Sequence, residues 1–309
     1  KLYEVLRGEL VAVRDQYATP RRTEIAAAAD GIEDEDLIER EDMVVTETSG
    51  GYIKRTPLAD FRAQKRGGKG VSGMQTKEED VITTLFVANT HTQLLFFTTE
   101  GMVYKLKTWR LPQSSRTGKG KAIVNILPIP TGVSIAAIMP VDRPDKEWAD
   151  LQIVFATSAG TVRRNRLSDF TNVKSNGKIA MKFEDEHADT KLINARICSE
   201  DEDVMLVTSA GRAIRFPTTD VRVFNSRSSV GVRGIKLGED AEVVSMSVIR
   251  HFDAEPAERS AFIKRFRAEL GSDVSEDENG EEIEGALTED RYQEMLAAND
   301  LLVTINKGG

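Results

Sequence analysis

The chain has 309 residues, of which 40% are hydrophobic, 30% charged and only 6% aromatic. That is enough apolar material for a sizeable core, so global disorder is excluded. The formal net charge of −8 argues against nucleic acid until it is divided: net −6 over 1–42, +7 over 43–252 and −9 over 253–290. A basic middle is flanked by acidic pieces, and whole-chain charge is a poor guide to partners.

One cysteine, Cys198, rules out an internal disulfide framework and any multi-cysteine zinc site. It ends an apolar run and reads as core. His91, His187 and His251 are too far apart in sequence to form a ligand motif. No apolar run reaches the ~18 residues of a membrane span, and no signal peptide is visible. The chain starts on Lys1 and stops at Gly309 after a strand-like run, which reads as a piece of a longer protein.

Residues 1–20 read as a helix and its end. Leu2, Leu6, Leu10, Val13 and Tyr17 share one face, and Pro20 stops the pattern. Residues 21–42 are a charged linker that includes Glu33, Asp34, Glu35 and Asp36. From Met43 the texture becomes short β-prone runs punctuated by glycine. Four copies of one unit follow: MVVTETSGGYIKRTPLADF from 43, LLFFTTEGMVYKLKTWRL from 94, QIVFATSAGTVRRNRLSDF from 152 and VMLVTSAGRAIRFPTTDV from 204. Each is a strand, a glycine turn and a second strand that ends in basic residues, the pattern of a β-hairpin. The turn glycines Gly51, Gly101, Gly160 and Gly211 are 50, 59 and 51 residues apart.

Each unit has a second glycine landmark: GGKGVSGM from 67, TGKGKAIV from 117, SNGKIAMK from 175 and VGVRGIKL from 230. An apolar run follows each: Val81–Ala88, Ser134–Met139, Leu192–Ile197 and Val243–Ile249. About four strands per unit predict an all-β fold of propeller-like, four-stranded blades over 43–252. Residues 253–299 are an acidic insertion with two helix-like pieces, Pro256–Leu270 and Glu289–Ala298. Thr288 is placed as N-cap, and Leu287 and Tyr292 as a hydrophobic staple. Residues 300–309 open a fifth, truncated blade.

The basic residues fall in phase with the repeats. Residues 54–69, which include Lys54, Arg55 and Arg62, are net +5. Residues 105–121 are net +6 through Lys105, Lys107, Arg110, Arg116, Lys119 and Lys121. Residues 163–182 are net +5 with Arg163, Arg164, Arg166, Lys174, Lys178 and Lys182. Residues 212–236 are net +5 with Arg212, Arg215, Arg222, Arg227, Arg233 and Lys236. Radial repetition would join these clusters into a curved positive stripe, suited to duplex DNA. No recognition helix is indicated, so contacts should go mainly to phosphate. With one or two contacts per blade, the log–log salt slope would be about −4 to −7.

No Walker motif, catalytic triad or paired carboxylate stands out, and no metal or cofactor site is expected. Gly68–Gly73 is a formal G-x-G-x-x-G, but a β-like run follows it where a dinucleotide fold needs a helix. Gln64, Lys65, Arg66, Gly67, Gly68, Lys69 and Gly70 form QKRGGKG: three cations to neutralise phosphate and three glycines that let backbone N–H groups approach it. This heptad resembles the signature Q-R-R-G-G-K-G box of the gyrase A family of bacterial DNA gyrases. The one departure is Lys65, which keeps the charge but loses the planar guanidinium fork. The segment YATPRRTEI over Tyr17–Ile25 is similar to the family's exit from its coiled coil.

The resemblance implies a β-pinwheel, a propeller-like disc whose neighbouring blades exchange strands, with 1–20 the end of a coiled-coil helix. It implies that the domain wraps double-stranded DNA chirally so that the ATP-dependent type II topoisomerase introduces negative supercoils. The implied partners are DNA, gyrase B and a second copy of gyrase A in an A2B2 assembly in the bacterial cytoplasm, at the nucleoid. The implied catalytic tyrosine lies upstream of this chain, so Tyr17 is not it. ATP and Mg would act elsewhere in the complex. One alternative is the C-terminal domain of the gyrase A counterpart in topoisomerase IV, which serves decatenation; Gln64–Gly70 stands against it. Another is a propeller scaffold for proteins; the phased charge stands against that.

Overall fold

The computed structural model describes residues 1–20, 22–23, 34–61, 80–183, 189–226, 229–270 and 287–300. The chain divides into two compact units, Lys1–Glu39 and Arg40–Gly309. The first contains α1 (Leu2–Tyr17), with Ala18 extended at its C-terminus, two residues before Pro20, and a short 3-10 turn at Asp34–Leu37.

The second unit is mostly β. The first repeat supplies β1 (Asp42–Thr48), β2 (Tyr52–Pro57) and β3 (Ile82–Asn89). The second supplies β4 (Gln93–Thr98), β5 (Met102–Lys107), the two-residue β6 (Lys121–Ala122) and β7 (Ile135–Val141). The third supplies β8 (Gln152–Thr157), β9 (Thr161–Arg166), β10 (Lys178–Ile179) and β11 (Leu192–Cys198). The fourth supplies β12 (Glu202–Thr208), β13 (Ala213–Pro217), β14 (Val223–Phe224), β15 (Val232–Arg233) and β16 (Val243–Arg250). The four turn glycines have φ of +74, +77, +81 and +73°, the left-handed conformation a tight hairpin needs.

Four sheets form as expected, the first three across repeats and the fourth, of three strands, within one. The strand orders are β3-β1-β2-β6, β10-β5-β4-β7, β11-β8-β9-β14 with β15 also on β9, and β13-β12-β16. The outermost strand of each of the first three sheets therefore comes from the following repeat. Tyr52 and Ile53 pair with Ala122 and Lys121. Val103 and Met102 pair with Lys178 and Ile179. Arg164 pairs with Val223, and Val162 with Val232. The strand exchange that the resemblance implied is thus present: each of the last three repeats gives three strands to its own blade, and its second landmark completes the blade before.

Three hydrophobic clusters bind the four sheets in series. Val45, Ile53, Leu94, Phe96 and Ile138 join the first to the second. Phe97, Trp148, Phe155 and Phe170 join the second to the third. Val154, Val162, Val204 and Leu206 join the third to the fourth, with Cys198 in that core as expected. In the second cluster Phe97, Phe155 and Phe170 meet edge to face, with centroids 5.5–5.9 Å apart, a geometry that adds about 0.5–1.5 kcal/mol per pair. Such packing makes the arrangement propeller-like. Among the described residues no cluster joins the fourth sheet back to the first.

The insertion contains α2 (Pro256–Glu269) and α3 (Glu289–Ala297). Thr288 caps α3, its side chain accepting from the Arg291 amide at 3.3 Å. Leu287 packs with Tyr292 in a small core that also holds Phe262 and Met295. The run 301–309 expected to open a fifth blade lies outside the described residues.

Candidate nucleic-acid interface

The geometry that places charge at the surface is the strand exchange itself. A second set of glycines makes it possible. Gly120, Gly177 and Gly231 have φ of +75, +83 and +109°. Each lies against the outer strand of the preceding blade. A Cβ on Gly120 would meet the Ile53 carbonyl at 2.5 Å, and one on Gly177 would meet the Tyr104 ring at 2.7 Å. A Cβ on Gly231 would strike the Val162 carbonyl. Only glycine permits that approach.

Buried cations then tie the exchanged segments down. Lys54 is fully buried, and its Nζ donates to the Ser115 carbonyl at 3.0 Å and the Arg116 carbonyl at 2.6 Å. Burial pulls its pKa below the ordinary lysine value. Arg163, also fully buried, donates to the Ser229 carbonyl at 2.7 Å and to the Ala180 carbonyl. Each links the second landmark of one repeat to the blade before it.

With the segments fixed, their remaining cations face outward. On the first blade Arg116 and Lys119 are half-buried and Lys121 is exposed. Lys119 Nζ sits 4.0 Å from the Tyr52 ring centroid, a cation–π seat that leaves the head near solvent. On the second blade Lys174 and Lys182 are exposed. On the third, Arg222, Arg233 and Lys236 are exposed, with Arg222 stacked 4.4 Å from the Phe224 ring. These positions lie on or beside β6, β10, β14 and β15, at the sheet edges opposite β3, β7 and β11. Arg212 is exposed beside its hairpin turn, and Arg110 and Arg166 are exposed at the ends of the second hairpin strands, with Arg110 resting 4.9 Å from the Trp109 ring.

Several predicted contacts are spent on the fold. Arg163 and Arg164 are buried, at 0% and 5% exposure, and present no charge at the surface. Lys105 pairs with Asp145 at 2.6 Å, donates to the Thr171 carbonyl and lies over Trp148. Lys107 donates to the His91 carbonyl at 3.0 Å. Lys178 donates to the carbonyls of Asp169 and Asn172. Arg215 is held by buried Asp203 at 2.6 Å. Arg55 donates to the Leu111 carbonyl. Apart from Arg164, whose Nε and Nη1 are buried with no hydrogen-bond partner among the described residues, the physical reason is common to the set: these side chains lie beside strand ends and turns whose carbonyls need donors.

Gln64, Lys65, Arg66, Gly67, Gly68, Lys69 and Gly70, together with Arg62 and Arg227, lie outside the described residues. What the sequence reading missed is which blade each second landmark serves. The available signal was the landmark glycine, whose recurrence asks for a close backbone neighbour that its own repeat does not supply. Among the described residues no three metal-ligating side chains cluster, and no helix is long and apolar enough to cross a membrane.

Comparison with known proteins agrees with this arrangement. Residues 42–89, 92–142, 152–190 and 202–250 match the family model described as DNA gyrase C-terminal domain, beta-propeller. The four matched stretches are the four repeats. The chain is similar over its full length to the DNA gyrase A protein of Rickettsia bellii, at 44% identity, and over 81% of its length to that of Salmonella typhimurium, at 43%. It spans 34% and 28% of those relatives. Among solved structures, a DNA gyrase A C-terminal domain aligns with a TM-score of 0.53 at 26% identity, covering 68% of this chain and 65% of that one. A topoisomerase IV C-terminal domain aligns at 0.57 and 24% identity, covering 69% and 63%, a likeness of fold.

Proposed function

Because the chain belongs to the family of DNA gyrase C-terminal domains, matched over more than half of its residues, we propose that it binds duplex DNA along the outer edges of its blades and wraps it. The observation that carries this reading is the recurrence of outward-facing cations on the exchanged segment of three successive blades: Lys119 and Lys121, Lys174 and Lys182, then Arg233 and Lys236. Phosphates recur regularly along a duplex, and a repeated cation is the matching surface. Two contacts on each of three blades make about six, for a salt slope of about −5. Bending a 20–30 bp site by 40–90° costs of order 1–6 kcal/mol, which contacts spread over several blades can offset.

In this reading the chain is the wrapping arm of a type II topoisomerase, and its wrap presents a DNA segment for strand passage. Gyrase B supplies ATP hydrolysis, a second copy of gyrase A completes the A2B2 enzyme, and the assembly works at the nucleoid in the bacterial cytoplasm. Gln64–Gly70 in the first repeat adds cations to the same wrap.

The test is topological. A nicked plasmid is sealed by ligase in the presence of the chain, the protein is removed, and the topoisomers are resolved. A positive shift in linking number that grows with protein supports chiral wrapping. Tight binding with no shift overturns it and favours a clamp of the topoisomerase IV kind.

A further inference from the structure

The first blade carries a carboxylate where the other three carry hydrocarbon. Four residues before the turn glycine stand Glu47, Phe97, Ala156 and Val207. Phe97 and Ala156 are fully buried in the clusters between successive sheets. Glu47 shares a strand face with Val45, which packs between the first and second sheets, and is itself only 6% exposed. Its side chain lines a cavity of about 380 Å³ between those two sheets.

A buried ionised carboxylate is costly without a partner. Burial pushes the Glu47 pKa up to about 7, and a hydrogen bond with Thr84 offsets that only in part. Among the described residues no cation pairs with it. The cavity walls divide by chemistry: Thr84 supplies a hydroxyl beside the carboxylate and Ser49 one already donated to Asp80, while Ile123, Val133 and Ile135 supply an aliphatic wall.

The volume and the donor set decide what fits. A water occupies about 30 Å³ in the liquid, so the space holds a molecule of many atoms rather than a bare ion. A divalent cation takes six or more oxygens and usually several carboxylates, whereas Glu47 is the one carboxylate in the lining, and the Asp80 carboxylate behind it is already engaged by the Ser49 hydroxyl and the Gly50 amide. We propose that this cavity is a binding site for a small organic cation, a primary alkylammonium whose head pairs with Glu47 and whose chain lies on Ile123, Val133 and Ile135. The ligand bridges the first two blades at the place where the second and third are bridged by Phe97. The proposal does not depend on DNA binding.

The test uses the 309-residue chain and n-pentylammonium chloride at constant total salt, with thermal unfolding and ligand-observed NMR as readouts. A saturable rise in melting midpoint is expected, with transfer of saturation to the alkyl protons. The uncharged n-pentanol should give neither at the same concentration. Glu47→Gln removes a charge-assisted hydrogen bond and should weaken binding about 10- to 100-fold. Ser134→Phe, at the cavity wall, should abolish binding while leaving the carboxylate in place, and serves as the second variant if Glu47→Gln does not fold. No saturable shift, an equal shift with n-pentanol, or unchanged affinity in folded Glu47→Gln or Ser134→Phe each overturns the proposal.

Discussion

Replacing Lys121, Lys182 and Lys236 together by Gln removes one exposed cation from each of the three exchanged segments. None of the three side chains makes an ion pair among the described residues, so the fold should keep its melting midpoint. If each meets one phosphate, the log–log salt slope becomes less negative by about 2.7, from about −5.4 to about −2.7 for six contacts reduced to three. Raising salt from about 50 to 200 mM should then weaken the unaltered chain by roughly 2,000-fold and the triple variant by roughly 40-fold. Fluorescence anisotropy of a labelled duplex across that range reads both slopes. The comparison is made between slopes and not affinities at one salt, because a slope counts released counterions. An unchanged slope in a folded triple variant refutes the assignment of these edges as the DNA surface.

Arg163→Met should do the opposite: leave the salt slope unchanged and lower stability by about 2–4 kcal/mol in urea unfolding, because the carbonyls of Ser229 and Ala180 lose a buried charged donor. Gly177→Ala should cost about 1–3 kcal/mol, from φ of +83° and the Tyr104 ring a new Cβ would meet at 2.7 Å; full stability would refute the close approach of the exchanged strand. Glu47→Gln should flatten the pH dependence of stability. The native carboxyl's pKa is raised from 4.5 to about 7, so its contribution is fully present below pH 4.5 and lost as pH rises through about 7. The loss is of order 3 kcal/mol, and Gln should therefore stabilise the chain at pH 8 and change little at pH 4. Parallel pH–stability curves for the two proteins would refute it.

The sequence showed the β elements well because their signal is local. The four apolar runs after the second landmarks became β3, β7, β11 and β16 within two residues at each end. Thr288 and the Leu287–Tyr292 staple were equally legible, since a cap is read from adjacent residues. Strand exchange was not legible in the repeats. Periodicity shows that Lys121 and Lys178 occupy equivalent positions, but not that each belongs to the preceding sheet. Burial was hidden too. Arg163, Arg164 and Arg166 look alike in sequence, yet only Arg166 is exposed. Strand alternation alone would not have separated them, because Arg163 and Arg164 point to opposite faces and both are buried. Glu47 is an acid among apolar equivalents in the repeats, but the sequence reading did not single it out, and its cavity has no signal in the sequence.

The division of labour among the basic residues follows from the exchange. In an array of self-contained repeats, stability is a sum of units and their interfaces. Here the first sheet lacks its outer strand until the second repeat supplies β6, and the second lacks its own until the third supplies β10. Lys54 sits at the first of these joints and Arg163 at the third, where the fourth repeat supplies β14 and β15; each is buried and bonded to carbonyls of the incoming segment. Lys119, Lys121 and Arg233 sit on the same segments with their charge outward. A phosphate that pulls on Lys121 therefore pulls on β6, and the load passes through the Ile53–Lys121 pairing into the first blade. The buried cation resists that load with two hydrogen bonds, each of about 1.5–3 kcal/mol as charged-group bonds run. Holding bent DNA requires a surface that does not yield under the bend. The repeats provide it by placing the contacts where two repeats share one sheet.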